Sequence, residues 1–324
     1  MKVIIPVAGV GQRLKPHTDS RPKPLLEVGG RTILDHVLKP LDGLSVDEVI
    51  FVIGHLGGQI RSYVTENYSF KASFVEQDRL LGLGYAVNMG LEQAAPGPVL
   101  IVLGDTIVDC DLAAFVAAGE FVLGVHEVTD PQRFGIVEMS GGLVKAVEEK
   151  PEKPKTNLAL IGLYYCSNSD VLKEELKRLV QSGHTTFGEI QLTDALASMI
   201  SRGVRFATHS VPNWYDCGKK ETLLATNRFI LEKLDQPERP AKFTVHPPVF
   251  VDPSATVENS TVGPSVSIGA GAKVVGCTVS NATIGAGAVL ENAVIKDSLV
   301  GPKAIVRNFE GVLNIGENSE IRGG

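Results

Sequence analysis

From Val251 onward, apolar residues return every five or six positions, at Val251, Val257, Val262, Ile268, Val274, Val279, Ile284, Leu290, Ile295, Val300 and Val306. Small residues and glycines fill the intervals, as in Ile268-Gly269-Ala270-Gly271-Ala272 and again in Ile284-Gly285-Ala286-Gly287-Ala288. A period of this length is a hexapeptide β-helix repeat. Its coils stack their apolar residues inward, and each coil shields its neighbours. The last coil then leaves an open end, which residues 309–324 or another subunit can cap. Phe309 to Gly324 shows no pattern beyond one possible last strand.

The repeat is set off from what precedes it. Residues 234–248 contain Pro237, Pro240, Pro247 and Pro248 among several charges, and read as a linker. The expected division is a domain over 1–234, a linker over 235–248, and the repeat over 249–324.

Upstream, strand and helix patterns alternate, as in a parallel or mixed sheet covered by helices. Val3 to Val7, Val49 to Ile53 and Val99 to Leu103 are apolar runs of the kind buried on both faces. Thr32 can cap a helix carrying Ile33, Val37 and Leu41. Helices are also expected from Gln59 to Glu66, Ser169 to Val180 and Glu189 to Ser201, and strands at Phe121 to Val128, Gly135 to Met139, Val144 to Glu148, Leu160 to Cys166 and Arg205 to Val211.

The stretch after the first strand carries the chemistry. Ala8-Gly9-Val10-Gly11 lets the backbone approach a ligand and turn its amides inward as an anion nest. Arg13, Lys15, Arg21 and Lys23 follow, with Asp19 the only acid among them. Glycines and fixed positive charge beyond the first strand of an open α/β sheet make a phosphate site. Taken alone, the same letters also describe a tight turn with surface charges. The dinucleotide fingerprint does not fit, because its third glycine position is Leu14, and no P-loop pattern occurs.

Other candidates also follow strands. Gln77 has an amide that both donates and accepts, which suits a pyrimidine edge, and Gly82 allows close backbone approach. Asp105, after the Val99–Leu103 run, can hold Mg²⁺ against phosphate oxygens, or can simply be a turn residue. Glu149 can accept hydrogen bonds from sugar hydroxyls and Lys150 can meet a phosphate, unless Glu148-Glu149-Lys150 is only a solvated charge cluster.

The net charge of −6 argues against broad nucleic-acid or membrane binding. An anionic substrate must therefore be held by local cations. Cys110, Cys166, Cys217 and Cys277 show neither a C-x-x-C pair nor zinc spacing, so reduced thiols in the cytoplasm are expected. The first apolar run is too short for a signal peptide, and no segment reaches the length of a membrane span.

The stretch Arg13-Leu14 to Pro22-Lys23-Pro24-Leu25-Leu26 resembles the signature of sugar-1-phosphate nucleotidyltransferases, particularly the glucose-1-phosphate thymidylyl- and uridylyltransferases. The resemblance continues in order at Gln77 with Gly82-Leu83-Gly84, Leu103-Gly104-Asp105, Arg133-Phe134-Gly135-Ile136-Val137, Glu148-Glu149-Lys150-Pro151, Gly162-Leu163-Tyr164, Gly188 to Asp194, and Trp214-Tyr215-Asp216-Cys217-Gly218. It covers roughly the first 230 residues. It implies an α/β fold, with a Rossmann-like mixed sheet followed by a short left-handed parallel β-helix of about eighteen residues per coil, roughly three coils in all.

It further implies transfer of a nucleotidyl group from dTTP or UTP to a sugar 1-phosphate, glucose 1-phosphate foremost, with release of pyrophosphate. Arg13 and Lys23 would be catalytic. Ala8, Gly9, Gly11, Gln77 and Gly82 would bind nucleotide, while Gly135, Glu149, Lys150 and Gly162 would bind the sugar phosphate. Asp105 and Asp216 would hold Mg²⁺. Related thymidylyltransferases often carry Arg before Gly-Glu as a sugar-phosphate contact; here that position is Phe187, which resembles the uridylyl branch. The expected partners are the two substrates and further copies of the chain. A chain ending near Leu234 is expected to keep nucleotidyl transfer while losing thermal stability or changing its oligomeric state.

Two other readings compete. Hexapeptide β-helices often serve acyltransferases, but residues 251–324 contain no histidine for a general base. A non-catalytic sugar-nucleotide-binding regulatory subunit would not need Arg13, Lys23, Asp105 and Asp216 together.

Overall fold

The computed structural model describes residues 1–234 and 243–323. Of the expected linker, residues 235–242 lie outside the described residues. Packing groups the chain into two compact units, Met1–Gly9 with Val37–Trp214, and Val10–His36 with Tyr215–Gly324. This grouping does not follow chain order, because the cation-rich stretch falls in the same unit as the C-terminal repeat.

The first unit is built on a mixed sheet. Its strands run Leu143–Glu149, Gly135–Ser140, Leu158–Cys166, Val99–Val102, Lys2–Pro6, Glu48–Ile53 and Ala72–Glu76. Phe121–Glu127 also pairs with Leu158–Cys166 and carries Ala207–Ser210 beyond it. Lys2–Pro6 lies parallel to both neighbours, with Ile4 opposite Ile50 and Ile101. The chain therefore winds to one side of the first strand and then returns to the other. That reversal opens a crevice at the carboxyl ends of the strands.

All six residues of Glu48–Ile53 and all four of Val99–Val102 are buried, as a doubly covered sheet requires. Helix Leu83–Gln93 lies directly on it. A Cβ at Gly90 would sit 2.7 Å from Ile4 Cγ2, so a glycine in mid-helix sets the close approach. Helix Ser169–Ser182 begins where Asn168 Oδ1 accepts from Asp170 N (3.1 Å) and ends at Gly183 with φ 67°. Its Leu172 and Leu176 join Leu196, Met199 and Phe206 in the core.

Some boundaries differ from expectation. The helix expected from Glu189 starts at Leu192. Ile190 N donates to Leu81 O (2.7 Å) and Ile190 O accepts from Gly84 N (2.8 Å), which takes these groups out of any helical ladder. The helix opened by Thr32 has its cap: Thr32 Oγ1 accepts from Asp35 N, and Asp35 Oδ2 accepts from Thr32 N. It gives way at Lys39 to a 3₁₀ turn, because Pro40 has no N–H to continue it. The strand expected over 205–211 shortens to Ala207–Ser210.

In the second unit, parallel strands stack coil upon coil into sheets, the arrangement of a β-helix. Thr256–Glu258, Lys273–Val275, Val289–Glu291, Ile305–Arg307 and Glu320–Arg322 form one five-stranded sheet. Val257, Val274, Leu290, Val306 and Ile321 lie above one another through it. The coils are thus shorter than the eighteen residues expected, and more numerous than three. The stretch after Phe309 holds three short strands, Glu310–Gly311, Asn314–Ile315 and the Glu320–Arg322 of that sheet. Corners fall at Asn259, Asn292, Asn308 and Asn318, with φ between 50° and 58°, a conformation Asn tolerates.

Within this unit the helix Lys220–Lys233 and the cation-rich stretch pack on the coils. Asn227 is fully buried. Its Oδ1 accepts from Gly29 N (2.8 Å) and Ser267 Oγ (2.6 Å), and its Nδ2 donates to Ser265 O (3.3 Å). His17 Nε2 donates to Asn314 Oδ1 (3.0 Å).

Candidate active site

Gly11 has φ 70° and opens a 3₁₀ turn over Gln12–Leu14 that buries Leu14. A Cβ there would meet Thr18 Cγ2 at 2.9 Å and Lys23 Cβ at 3.3 Å, while Thr18 Oγ1 donates to Gly11 O (2.9 Å). Pro22 leads into a second 3₁₀ turn, Lys23–Leu25, which leaves Lys23 only 7% exposed.

The four cations of this stretch separate. Lys15 pairs with Asp19 (2.9 Å) and Arg21 with Glu27 (3.5 Å). Lys23 Nζ instead lies 4.0 Å from Asp216 Oδ1. Gly218 shows where Arg13 goes: a Cβ there would fall 2.6 Å from Arg13 Nη2 and 2.8 Å from both carboxylate oxygens of Asp216. Arg13 and Asp216 therefore meet over the bare Cα of Gly218, and Lys23 stands beside the same carboxylate. Gly218 belongs to the Trp214–Gly218 motif but had no role from sequence. Its motif position was the available signal.

In the first unit, Ala8, Gly54, Gln77 and Gly104-Asp105 follow the carboxyl ends of the four parallel strands. A Cβ on Gly54 would meet Ala8 O at 2.9 Å, and one on Gly104 would meet Val7 Cγ1 at 2.2 Å. Gly9 has no neighbour within 4 Å of such an atom, so its backbone is open to approach. Gln77 is buried, and its Nε2 donates to Arg79 O (2.8 Å); one amide hydrogen is thus spent inside its own loop. Thr106 Oγ1 donates to Asp105 Oδ1 (3.3 Å).

Gly82 has φ 107°, and a Cβ on it would lie 2.7 Å from Ile190 O. Packing against Ile190 therefore demands glycine there independently of any ligand. The same holds at Gly162, where φ is 83° and a Cβ would meet Leu103 Cδ1 at 2.5 Å.

Gly135, Glu149 and Lys150 come together. A Cβ on Gly135 would lie 3.0 Å from Glu149 Oε2 and 3.1 Å from Thr193 Oγ1. Thr193 Oγ1 donates to Glu149 Oε2 (2.7 Å), and Lys150 Nζ lies 3.4 Å from Glu149 Oε1. Glu149 is thereby fixed rather than part of a loose charge cluster. Burial, and secondarily the charge of Glu149, push the Tyr164 hydroxyl well above the ordinary tyrosine range, so it stays a neutral donor. Thr193, which sequence reasoning left without a role, orients the carboxylate.

Asp105 and Asp216 belong to different units. Among the described residues, no group of three or more His, Cys, Asp or Glu is placed to hold a metal ion. All four cysteines are free thiols, and burial pushes Cys166 up to about 12. No helix among the described residues is long and apolar enough to cross a membrane.

A family model described as nucleotidyl transferase matches residues 2–233. The low-salt glycan biosynthesis nucleotidyltransferase Agl11 of Haloferax volcanii is 31% identical over 242 residues, covering 72% of this chain and 66% of that protein. The bifunctional protein GlmU of Methanocaldococcus jannaschii is 30% identical over 240 residues, 72% of this chain and 55% of that one. The chain thus spans less than two thirds of either relative. A glucose-1-phosphate thymidylyltransferase of Streptomyces griseus is 30% identical over 299 residues, 87% of this chain and 82% of that one. Among solved structures, a UDP-glucose pyrophosphorylase complexed with UDP-glucose superposes with a TM-score of 0.63 at 21% identity, covering 72% of this chain and 99% of that one. At that identity the likeness concerns the fold alone.

Proposed function

This chain belongs to the nucleotidyl transferase family, and we propose that it transfers a nucleotidyl group from dTTP or UTP to a sugar 1-phosphate, glucose 1-phosphate foremost, releasing pyrophosphate. The observation that carries the proposal is the gathering of two cations at one carboxylate, Arg13 with Asp216 over Gly218 and Lys23 beside Asp216.

A phosphate oxygen of the sugar 1-phosphate attacks the α-phosphorus of the triphosphate. The bond from that phosphorus to the β-phosphate oxygen breaks, and pyrophosphate leaves with the electron pair. The nucleophile is already an anion, so no proton need be removed. The work is positioning and neutralising charge. Arg13 and Lys23 face the departing pyrophosphate, and the amides of the Gly9 to Gly11 turn add donors. Gln77 and Gly82 bind the nucleotide at its base, and Ala8 joins them in nucleotide binding. Glu149, oriented by Thr193, accepts from sugar hydroxyls; Gly135 and Gly162 leave room for the ring, and Lys150 meets the sugar's phosphate.

Asp105 and Asp216 suit Mg²⁺, a hard cation that takes one or two carboxylates and completes its shell with waters and substrate phosphates. When bound, it would lower the repulsion between two anionic substrates.

The test is a matrix of dTTP, UTP, ATP and GTP against several sugar 1-phosphates, followed by pyrophosphate release. A pyrimidine preference with glucose 1-phosphate supports the reading. No release from any pair would leave the chain a binding subunit, and a preference for ATP or GTP would refute the base assignment.

A further inference from the structure

Phe187 stands apart in two respects. It is 67% exposed, more than any other large apolar side chain among the described residues. Its φ is 55°, in the left-handed region.

It opens a two-residue turn. Thr186 N donates to Glu189 O (2.8 Å), Glu189 N donates to Thr186 O (3.2 Å), and Gly188 has φ 79°. Asn, Asp or Gly fills the first position of such a turn without strain; a bulky aromatic there is an outlier. Neither burial nor backbone preference accounts for Phe187. Backbone outliers of this kind gather at ligand clamps.

The hairpin is docked on the loop that carries Gln77 and Gly82. Ile190 N donates to Leu81 O (2.7 Å), Gly84 N donates to Ile190 O (2.8 Å), and a Cβ on Gly82 would lie 2.8 Å from Glu189 Cβ. That loop has an exposed tip of its own. Arg79 O accepts from both Gln77 Nε2 (2.8 Å) and Leu81 N (2.9 Å), and the tight turn leaves Leu80 56% exposed. Two adjoining segments of the first unit thus each hold a large apolar side chain in water.

Their chemistry selects the part of the ligand they fit. Neither side chain can hydrogen-bond a phosphate or a sugar hydroxyl. The charges nearby do not invite phosphate either: Asp78 pairs with Arg79 (3.9 Å), and Glu189 Oε2 accepts from Gln191 Nε2 (3.2 Å). A flat ring does match an aromatic face, and stacking requires no particular pattern of donors.

We propose that Phe187 stacks on the nucleobase, with Leu80 against the same ring, while Gln77 reads the base edge. The inference rests on the nucleotide-binding reading of Gln77 and Gly82.

The full chain is titrated by calorimetry with UTP and with tripolyphosphate, which carries the phosphates without a base. KM for UTP, dTTP and glucose 1-phosphate is read from pyrophosphate release. Phe187→Asn is expected to weaken UTP binding about tenfold and to raise KM for both nucleotides by that factor, with a far smaller change in kcat. Tripolyphosphate binding is expected to stay unchanged, and melting to come no earlier than in the wild type, since Asn suits the turn. Phe187→Trp is expected to keep wild-type affinity, and Leu80→Ser to act in the direction of Phe187→Asn. Unchanged UTP affinity in Phe187→Asn, an equal loss for tripolyphosphate, or a rise confined to KM for glucose 1-phosphate would overturn the base contact while leaving the reaction standing. A wild-type chain that binds UTP no better than tripolyphosphate would overturn it together with the reading of Gln77 and Gly82.

Discussion

Lys23 Nζ stands 4.0 Å from Asp216 Oδ1, a pairing between the turn after the first strand and the last motif of the family-matched segment. A nearly buried ammonium held beside a carboxylate is a fixed charge that needs no reorganisation when phosphate arrives. Such charges act mainly in the transition state. Lys23→Ala is therefore expected to lower turnover by about 10²- to 10³-fold at saturating substrates, and Arg13→Ala to behave similarly. Near wild-type turnover in both would remove this stretch from the mechanism.

Gly218→Ala tests the meeting of Arg13 and Asp216 directly. The added Cβ would overlap Arg13 Nη2 at 2.6 Å and both Asp216 oxygens at 2.8 Å. These are the ends of side chains and can move, so folding loses little while the constellation shifts. Turnover is expected to fall by on the order of 100-fold, with melting nearly unchanged. A variant that melts much earlier yet turns over normally once folded would mark Gly218 as structural.

Activity is expected to require a divalent cation. Asp105→Asn and Asp216→Asn should each raise the Mg²⁺ concentration needed for half-maximal rate, since neutral amides are poorer ligands for this cation. Full activity in excess chelator contradicts the assignment of both carboxylates.

His17 gives an acid-sensitive term. Burial, the larger influence, lowers its pKa from 6.5, against the raising influence of the Asn314 hydrogen bond. The unfolded chain then binds more protons than the folded one as pH drops through 6.5. The stabilisation is complete above that value and is lost progressively below it, toward the depressed folded pKa. Melting is expected to fall more steeply between pH 7 and 5 in the wild type than in His17→Gln, which cannot protonate. Parallel curves would exclude His17 as a source of the acid sensitivity.

The sheet was legible because Glu48–Ile53 and Val99–Val102 are continuous apolar runs, and the coils because their apolar step is regular. The last coil was not, since its apolar residues are few and stand among polar ones: Leu313, Ile315 and Ile321. The start of the helix at Leu192 was hidden because it is set by Leu81 and Gly84, far away in sequence. Charge counting placed four cations at one site, but only geometry shows that Lys15 and Arg21 pair locally while Arg13 and Lys23 turn to Asp216. At Gly82 and Gly162 the sequence could not separate room for a ligand from room for Ile190 or Leu103.

The division at Leu234 is the point on which sequence and structure lead to different experiments. Chain order suggests that residues 1–234 form a self-sufficient enzyme. The packing instead places Val10–His36, with Arg13 and Lys23, in the unit that contains the coils. Without residues 243–323, His17 loses Asn314, Gly30 loses the Phe250 ring, and Asn227 keeps Gly29 but loses Ser265 and Ser267. Each buried polar group left unpaired costs about 1–3 kcal/mol unless water reaches it. The stretch carrying Arg13 and Lys23 would then lose its support, and a displacement of about 1 Å is enough to cost on the order of 100-fold in rate. A chain ending at Leu234 is thus expected to keep the circular dichroism of its mixed sheet while pyrophosphate release falls by about that factor. Release at the full-length rate would show that the first 234 residues hold the cationic turn in place by themselves.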